Sequence, residues 1–278
     1  MDQVNTDAWI GQETVSQGGM SEHQAAQAHA TLGEGHAPRH GDPLPLLWHW
    51  CAFPTTAPND ALGRDGHIRG SRLLPPVHLP RRMWAGGALS FHKPLHVGEQ
   101  IERRSRVRSV IEKSGSTGPI VLVTVDHALY GDRGLAVEER QDIVYLNIPD
   151  SFVAPEKRAI PAPTQEAVDT PETLLFRYSA LTFNTHRIHY DLRYTQEVEH
   201  YPALVVHGPL QATLLMRAAI RAQQGRTPLF FDFRGVHPMF AGRTCDIALA
   251  ETDEGMRLWS GQDGHQCMVA TATWEGTQ

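Results

Sequence analysis

Between Asn184 and Asp191 the chain reads NTHRIHYD, directly behind the apolar, strand-like residues Ala180, Leu181 and Phe183. An amide, two histidines and a carboxylate in one short stretch are the materials of proton transfer. His189 suits that role because an unperturbed imidazole titrates near pH 6.5. A well-placed acid–base group contributes roughly 10²–10⁴ in rate. Asn184 can hold a water, or cap a helical turn, but an amide cannot take a proton at neutral pH. Asp191 serves either as a loop anchor or as a second participant in proton transfer. His186 and His189 have no cysteine or further spaced histidine beside them, so no metal is expected.

Downstream lies HGPLQATLLMRAAIRAQQG. Gly208 suits an N-cap and Pro209 the first helical position, where no N–H partner is needed. The spacing predicts a helix of about 16 residues, about 24 Å long, stopping at Gly225 ahead of Thr227 and Pro228. Leu210, Leu214, Leu215, Met216, Ala219 and Ile220 cover most of its circumference, so it should be buried on most sides. Its first N–H groups can stabilise an oxyanion, and glycine lets a ligand come close. That makes Gly208 a binding candidate. His207 is either a neighbour in that site or a core histidine.

A second group of candidates lies far upstream in LPRRMWAGG. Arg81 and Arg82, next to Trp84, could clamp a carboxylate or a phosphate with paired hydrogen bonds. Arg104, Arg106 and Arg108 alternate with Ile101, Val107 and Ile111 in a strand pattern. Their row is either a solvated strand face or a contact for the phosphates of a ligand.

The elements that must position these residues read as a duplication. Pro94-Leu95-His96-Val97-Gly98 in the first half and Pro238-Met239-Phe240-Ala241-Gly242 in the second share a proline and a glycine, each pair followed by a strand. Pro119–Gly131 and Glu138–Ile148 read as strands, with counterparts in RLWSGQ and Cys267–Trp274. Prolines crowd 147–175 and forbid a long helix there. The expected domains are therefore 1–150, a proline-rich linker over 151–172, and 173–278. The first half should carry a helix too. Ser21–Gly35 and Leu44–Phe53 both qualify, the latter being more apolar. A long buried helix followed by long strands suggests a sheet wrapped around a helix, twice over: an α+β, double hot-dog architecture.

Bulk properties agree with an ordinary globular protein. The chain has 278 residues, 41% hydrophobic and 20% charged, with a formal net charge of −6. That acidity argues against non-specific nucleic-acid binding. No apolar run approaches the roughly 20 residues of a membrane span, and the first residues lack the pattern of a signal peptide. Three scattered cysteines do not make a disulfide framework. A reduced, cytoplasmic protein is expected, with a homodimer possible.

FNTHRIHYD followed by YPALVVHGPL resembles the MaoC-like enoyl-thioester hydratases and dehydratases. Asn184 and His189 fall on the acidic residue and histidine of the hydratase 2 motif, and Asp191, Tyr194 and Val206-His207-Gly208 also match. LPLLWHWCAF and LLPPVHLPRRMWAGGALSFHKPL resemble the FAS1-like amino-terminal domain of the two-domain branch. That branch includes 3-methylfumaryl-CoA (mesaconyl-CoA) and itaconyl-CoA hydratases and the fungal mitochondrial fatty-acid dehydratase. The resemblance implies a hydro-lyase with an acyl-CoA substrate and no cofactor. It implies catalysis by the second half and a degenerate, substrate-binding first half. A fatty-acid-type 3-hydroxyacyl-thioester dehydratase and a non-catalytic acyl-CoA binder are the alternatives. The family aspartate is replaced by Asn184, which shifts the base role onto His189.

Overall fold

The structure, a computed structural model, describes residues 6–115 and 118–274. The first half runs β1 (Glu13–Gly18), α1 (Glu22–Leu32), β2 (Arg81–Phe91), β3 (Ile101–Gly115), β4 (Gly118–Gly131) and β5 (Gly134–Leu146). The second runs β6 (Thr164–Asp169), α2 (Glu172–Thr182), α3 (Leu192–Glu197), α4 (Gly208–Ala222), β7 (Phe230–Gly235), β8 (Thr244–Thr252), β9 (Gly255–Gln262) and β10 (His265–Thr273).

All of these strands join one ten-stranded sheet in the order β1–β3–β4–β5–β2–β7–β10–β9–β8–β6. Every neighbouring pair is antiparallel. Read outward from the central β2–β7 pair, both sides show the same order. The duplication is therefore physical. It extends to single hydrogen bonds: Val97 N–H to Asp42 O at 3.0 Å matches Ala241 N–H to Leu204 O at 2.8 Å. Leu44 N–H to Leu95 O at 2.7 Å likewise matches Val206 N–H to Met239 O at 2.8 Å. The shared proline–glycine signature is the turn that makes these bonds. It ends at Gly98 (φ 89°) and Gly242 (φ 76°), where a side chain would be strained.

These matched bonds also show what became of the first half's helix. Leu44–Phe53 stands where α4 begins in the second half, yet it forms only a 3₁₀ turn at Trp48–Cys51. Leu47 there is left-handed (φ 70°), and Pro54 disfavours helix at the residue before it. Ser21–Gly35 does fold as a helix, α1, with a capping box between Ser21 and Gln24. It packs on α2, its duplicate partner, rather than threading the sheet. Among the described residues, only the second half wraps around a long central helix. Leu210, Leu214, Leu215 and Met216 of α4 are fully buried against the sheet. At the far end of the first half's sheet, Leu73, Leu74, Val77 and Leu79 pack from an irregular segment instead.

Three sequence expectations shift. The linker is shorter than 151–172, because β6 lies inside that span and pairs with β8. Its residues Thr164–Asp169 are free of proline, so their N–H groups are available to a ladder. The apolar stretch ahead of Asn184 is the end of helix α2, not a strand. Leu175, Tyr178 and Ser179 are buried at helical spacing, and Phe183 ends the helix in the left-handed region (φ 51°). On β3 the alternation breaks at a bulge between Val107 and Ser109. Val110 is therefore buried and Ile111 faces solvent. No helix among the described residues is long and apolar enough to cross a membrane.

Candidate active site

A cavity of about 1460 Å³ runs between the halves. Its walls include His67, Arg82, Asn184, His186, His189 and Gly208. It continues under the first half's sheet past Leu73, Val125 and Ile143, where no counterpart of α4 fills the space. It exceeds the roughly 300–1,000 Å³ of ordinary small-molecule sites.

His189 sits in a 3₁₀ turn, Arg187–His189, between α2 and α3. Its ring is buried, and Nδ1 lies 2.7 Å from the Val205 carbonyl oxygen. A carbonyl only accepts, so Nδ1 carries the proton and Nε2 is left with a free lone pair. Burial pushes the imidazole down to about 4, against the opposing pull of the Val205 carbonyl. His189 is thus neutral near pH 7 and has the tautomer of a proton acceptor. His207 stacks on it, with centroids 3.6 Å apart. His207 Nε2 lies 2.8 Å from Ser179 Oγ, and burial holds it well below the ordinary range. His186 is edge-on to His189 at 5.4 Å, and its buried Nε2 has no partner. Burial, and then its neighbour His67, also hold His186 well down.

Asn184 Oδ1 accepts from the His186 N–H at 3.0 Å, an Asx turn that fixes the path to His189. Its NH₂ group is left for the cavity. Gly208 is the first residue of α4, one position later than the expected N-cap, which is His207. N–H groups of the first turn have no intrahelical partner. A Cβ on Gly208 would meet only Trp84 O at 3.7 Å and Met268 at 3.9 Å. Among the described residues no other atom, its chain neighbours and own helix backbone aside, comes within 4 Å of that position.

Two expected site residues are held by partners within the protein, although Arg81 also lines the cavity. Asp191 caps α3 by accepting from Tyr194 N–H at 3.0 Å and takes two hydrogen bonds from Arg187, at 2.7 and 3.0 Å. Both its oxygens are engaged and it does not line the cavity. It is the anchor of the loop. Arg81 is buried and bonds Glu199 through Nε to Oε2 and through Nη2 to the main-chain oxygen, each at 2.7 Å. Its charge is neutralised within the protein. Arg82, one residue on, faces the cavity beside Asp65, His67 and His186, with Tyr145 nearby. It is the better-placed of the two arginines for a substrate anion. Trp84 forms cavity wall, edge-on to Trp50 at 5.0 Å, with its N–H on Gly86 O. Arg104, Arg106 and Arg108 lie on the solvent face, paired with Glu102, Glu13 and Asp126.

The sequence reading missed Asp65 and His67. They sit on an irregular segment of the first half, with no periodic pattern to flag them. The fold docks this segment onto the turn before His189: Arg187 N–H bonds Asp65 O at 2.9 Å, and Thr185 Oγ1 bonds Gly66 O at 2.5 Å. Among the described residues, two groups have donor atoms within 4.8 Å of one another, close enough to share a cation: Asp65, His67 and His186, and separately His237, His265 and Cys267.

The architecture defines a double hot-dog protein with one helix-N-terminus site at the junction of its halves. The sequence profile described as "Hydroxyacyl-thioester dehydratase type 2" matches residues 47–241, and the chain belongs to that family. The "Mesaconyl-C(4)-CoA hydratase" of Chloroflexus aurantiacus is 43% identical to it, over 97% of this chain and 98% of the relative. The mitochondrial "Hydroxyacyl-thioester dehydratase type 2" of Schizosaccharomyces pombe is 29% identical over 76% of this chain and 78% of the relative. Among solved structures, a MaoC-like dehydratase from Phytophthora capsici aligns with a TM-score of 0.69 at 14% identity, covering 99% of this chain and 100% of the other. A Mycobacterium tuberculosis protein described as a double hotdog fold aligns at 0.59 and 14% identity, with 95% of each chain covered.

Proposed function

We propose that the protein reversibly adds water to the double bond of a small branched enoyl-CoA that carries a second, free carboxylate. 3-Methylfumaryl-CoA or itaconyl-CoA would give citramalyl-CoA. The carrying observation is His189, a neutral buried imidazole with its lone pair at the cavity, stacked on the N-cap of α4. Water held by the Asn184 amide gives its proton to His189 Nε2 as its oxygen bonds the β-carbon. The double-bond electrons move toward the thioester oxygen, where first-turn N–H groups at Gly208 face the developing negative charge. The α-carbon then takes a proton. The first half contributes the long cavity and, at Arg82, a cation for the free carboxylate. The name of the Chloroflexus relative supports the dicarboxylyl substrate. The chemistry calls for no cofactor beyond the CoA of the substrate.

Following the enoyl-thioester absorbance over a CoA-ester panel tests this. The dicarboxylyl esters should be consumed faster than crotonyl-CoA, each giving a product heavier by one water. A preference for long, neutral enoyl chains would favour a fatty-acid-type dehydratase. No consumption of any ester would rule out hydration.

A further inference from the structure

Hydration moves a second proton, onto the α-carbon, and the Asn184 amide has no proton to give at neutral pH. A carboxylate nevertheless reaches the site from the first half. Asp65 Oδ2 lies 2.7 Å from His67 Nδ1, and Asp65 Oδ1 accepts the His67 main-chain N–H at 3.0 Å. With Nδ1 bonded to a carboxylate, His67 directs Nε2 away from Asp65. The residue lines the cavity, and its ring lies 4.3 Å from that of His186, which in turn faces His189. Among the described residues, His186, His189 and His207 have no carboxylate partner. His67 is the imidazole of this cluster whose charged form is paired.

We propose that the Asp65–His67 pair is the second acid–base group of the site and transfers the proton at the substrate's α-carbon. This rests on the hydration reading above. In the hydrating direction His67 starts with a proton on Nε2, balanced by Asp65, and His189 starts neutral. Water loses its proton to His189 Nε2 as its oxygen bonds the β-carbon. The π electrons become the new α-C–H bond, formed with the proton from His67 Nε2. One proton has then moved from His67 to His189. Exchange with solvent restores both, since the His67 side chain is one-fifth exposed. Dehydration runs the same steps backward.

The groups facing His67 are Asp65 from its own segment, Arg82 from β2, and His186 and His189 from the turn after α2. Burial, with Arg82, outweighs the pull of Asp65 and holds the His67 imidazole below its ordinary value, so the donating form gains population as pH falls. Burial would raise the Asp65 carboxyl, but the bond and charge of His67 and the nearby Arg82 hold it below its ordinary value.

The test uses the full-length protein, His67→Gln and Asp65→Asn, with kcat, KM and the pH profile measured on the best ester of the panel. Expected are a bell-shaped kcat/KM profile, a loss in kcat of about 10²–10⁴ for His67→Gln with KM changed only a few-fold, and an alkaline limb that moves to lower pH in Asp65→Asn. Asp65→Asn keeps an oxygen for the His67 N–H, so it separates charge from loop structure. Activity of His67→Gln within tenfold of wild type, or an alkaline limb unmoved in Asp65→Asn, overturns the proposal. Wild-type protein inert on every ester overturns it together with the function on which it rests.

Discussion

His189 and His207 lie ring on ring, centroids 3.6 Å apart and planes only 17° from parallel. A proton on either would put a positive charge in a buried stack with no carboxylate against it. His189 is held at about 4, chiefly by burial, with His67 also facing it. The unfolded chain, with histidines near 6.5, binds a proton that the folded chain refuses. Stability should therefore be full above about pH 6.5, fall as pH drops toward 4, and level off below. For His189 alone the loss is about 3 kcal/mol, and His186 and His207 add to it in the same direction. Urea unfolding at neutral pH and at pH values stepped toward 4 measures this. An unchanged midpoint would mean that these imidazoles are not buried neutral.

Asn184 has two tasks that substitution separates. Its Oδ1 holds the turn and its NH₂ is free for water. Asn184→Ala should lower kcat at least tenfold, while Asn184→Asp, which keeps the turn's acceptor, retains measurable activity. Both need steady-state rates on the preferred ester. If Asn184→Ala turns over like wild type, the residue only shapes the turn.

The two neighbouring arginines should behave differently. Arg81→Ala strands Glu199, which is 1% exposed, as an unpaired buried charge. Breaking such a pair typically costs about 3–5 kcal/mol, visible as a large drop in unfolding midpoint. Arg82→Ala should leave the midpoint nearly unchanged and raise KM for a dicarboxylyl-CoA well above any change for crotonyl-CoA. Equal effects on both esters would mean that Arg82 does not read the free carboxylate.

Gly66 is the point where the first half meets the turn that carries His189. Its φ is +91°, and a Cβ there would overlap the Thr185 carbonyl oxygen. Gly66→Ala must shift the Asp65–His67 segment or the 184–187 turn. It should cost at least 1 kcal/mol, from the backbone alone, and lower kcat/KM more than tenfold. Wild-type kinetics in this variant would show that the docking of the two segments does not matter to the site.

Much of this architecture was legible because it rests on local rules. α4 reads from Gly208-Pro209 and its apolar faces, the strands from β-branched runs, and the duplication from a turn whose glycine needs positive φ. His189 and Gly208 follow from the motif they share. What escaped depends on long-range pairing. Arg81 and Arg82 are equivalent on paper, and only Glu199, brought alongside by the fold, separates them. Asp191 looks catalytic until Arg187 and the start of α3 claim both its oxygens. Asp65 and His67 carry no periodicity, and only docking across the duplication places them beside His186. The loss of the first half's helix turned on Leu47 and Pro54, punctuation within an otherwise helix-like apolar run.

The central claim is that His189 takes the proton from the attacking water. The direct measurement is the hydration rate of His189→Ala on the ester that the wild type prefers, with circular dichroism confirming the fold. The rate should fall by at least 10² and as much as 10⁴, the range of a lost general base. A rate within tenfold of wild type would contradict the assignment of His189 as the base.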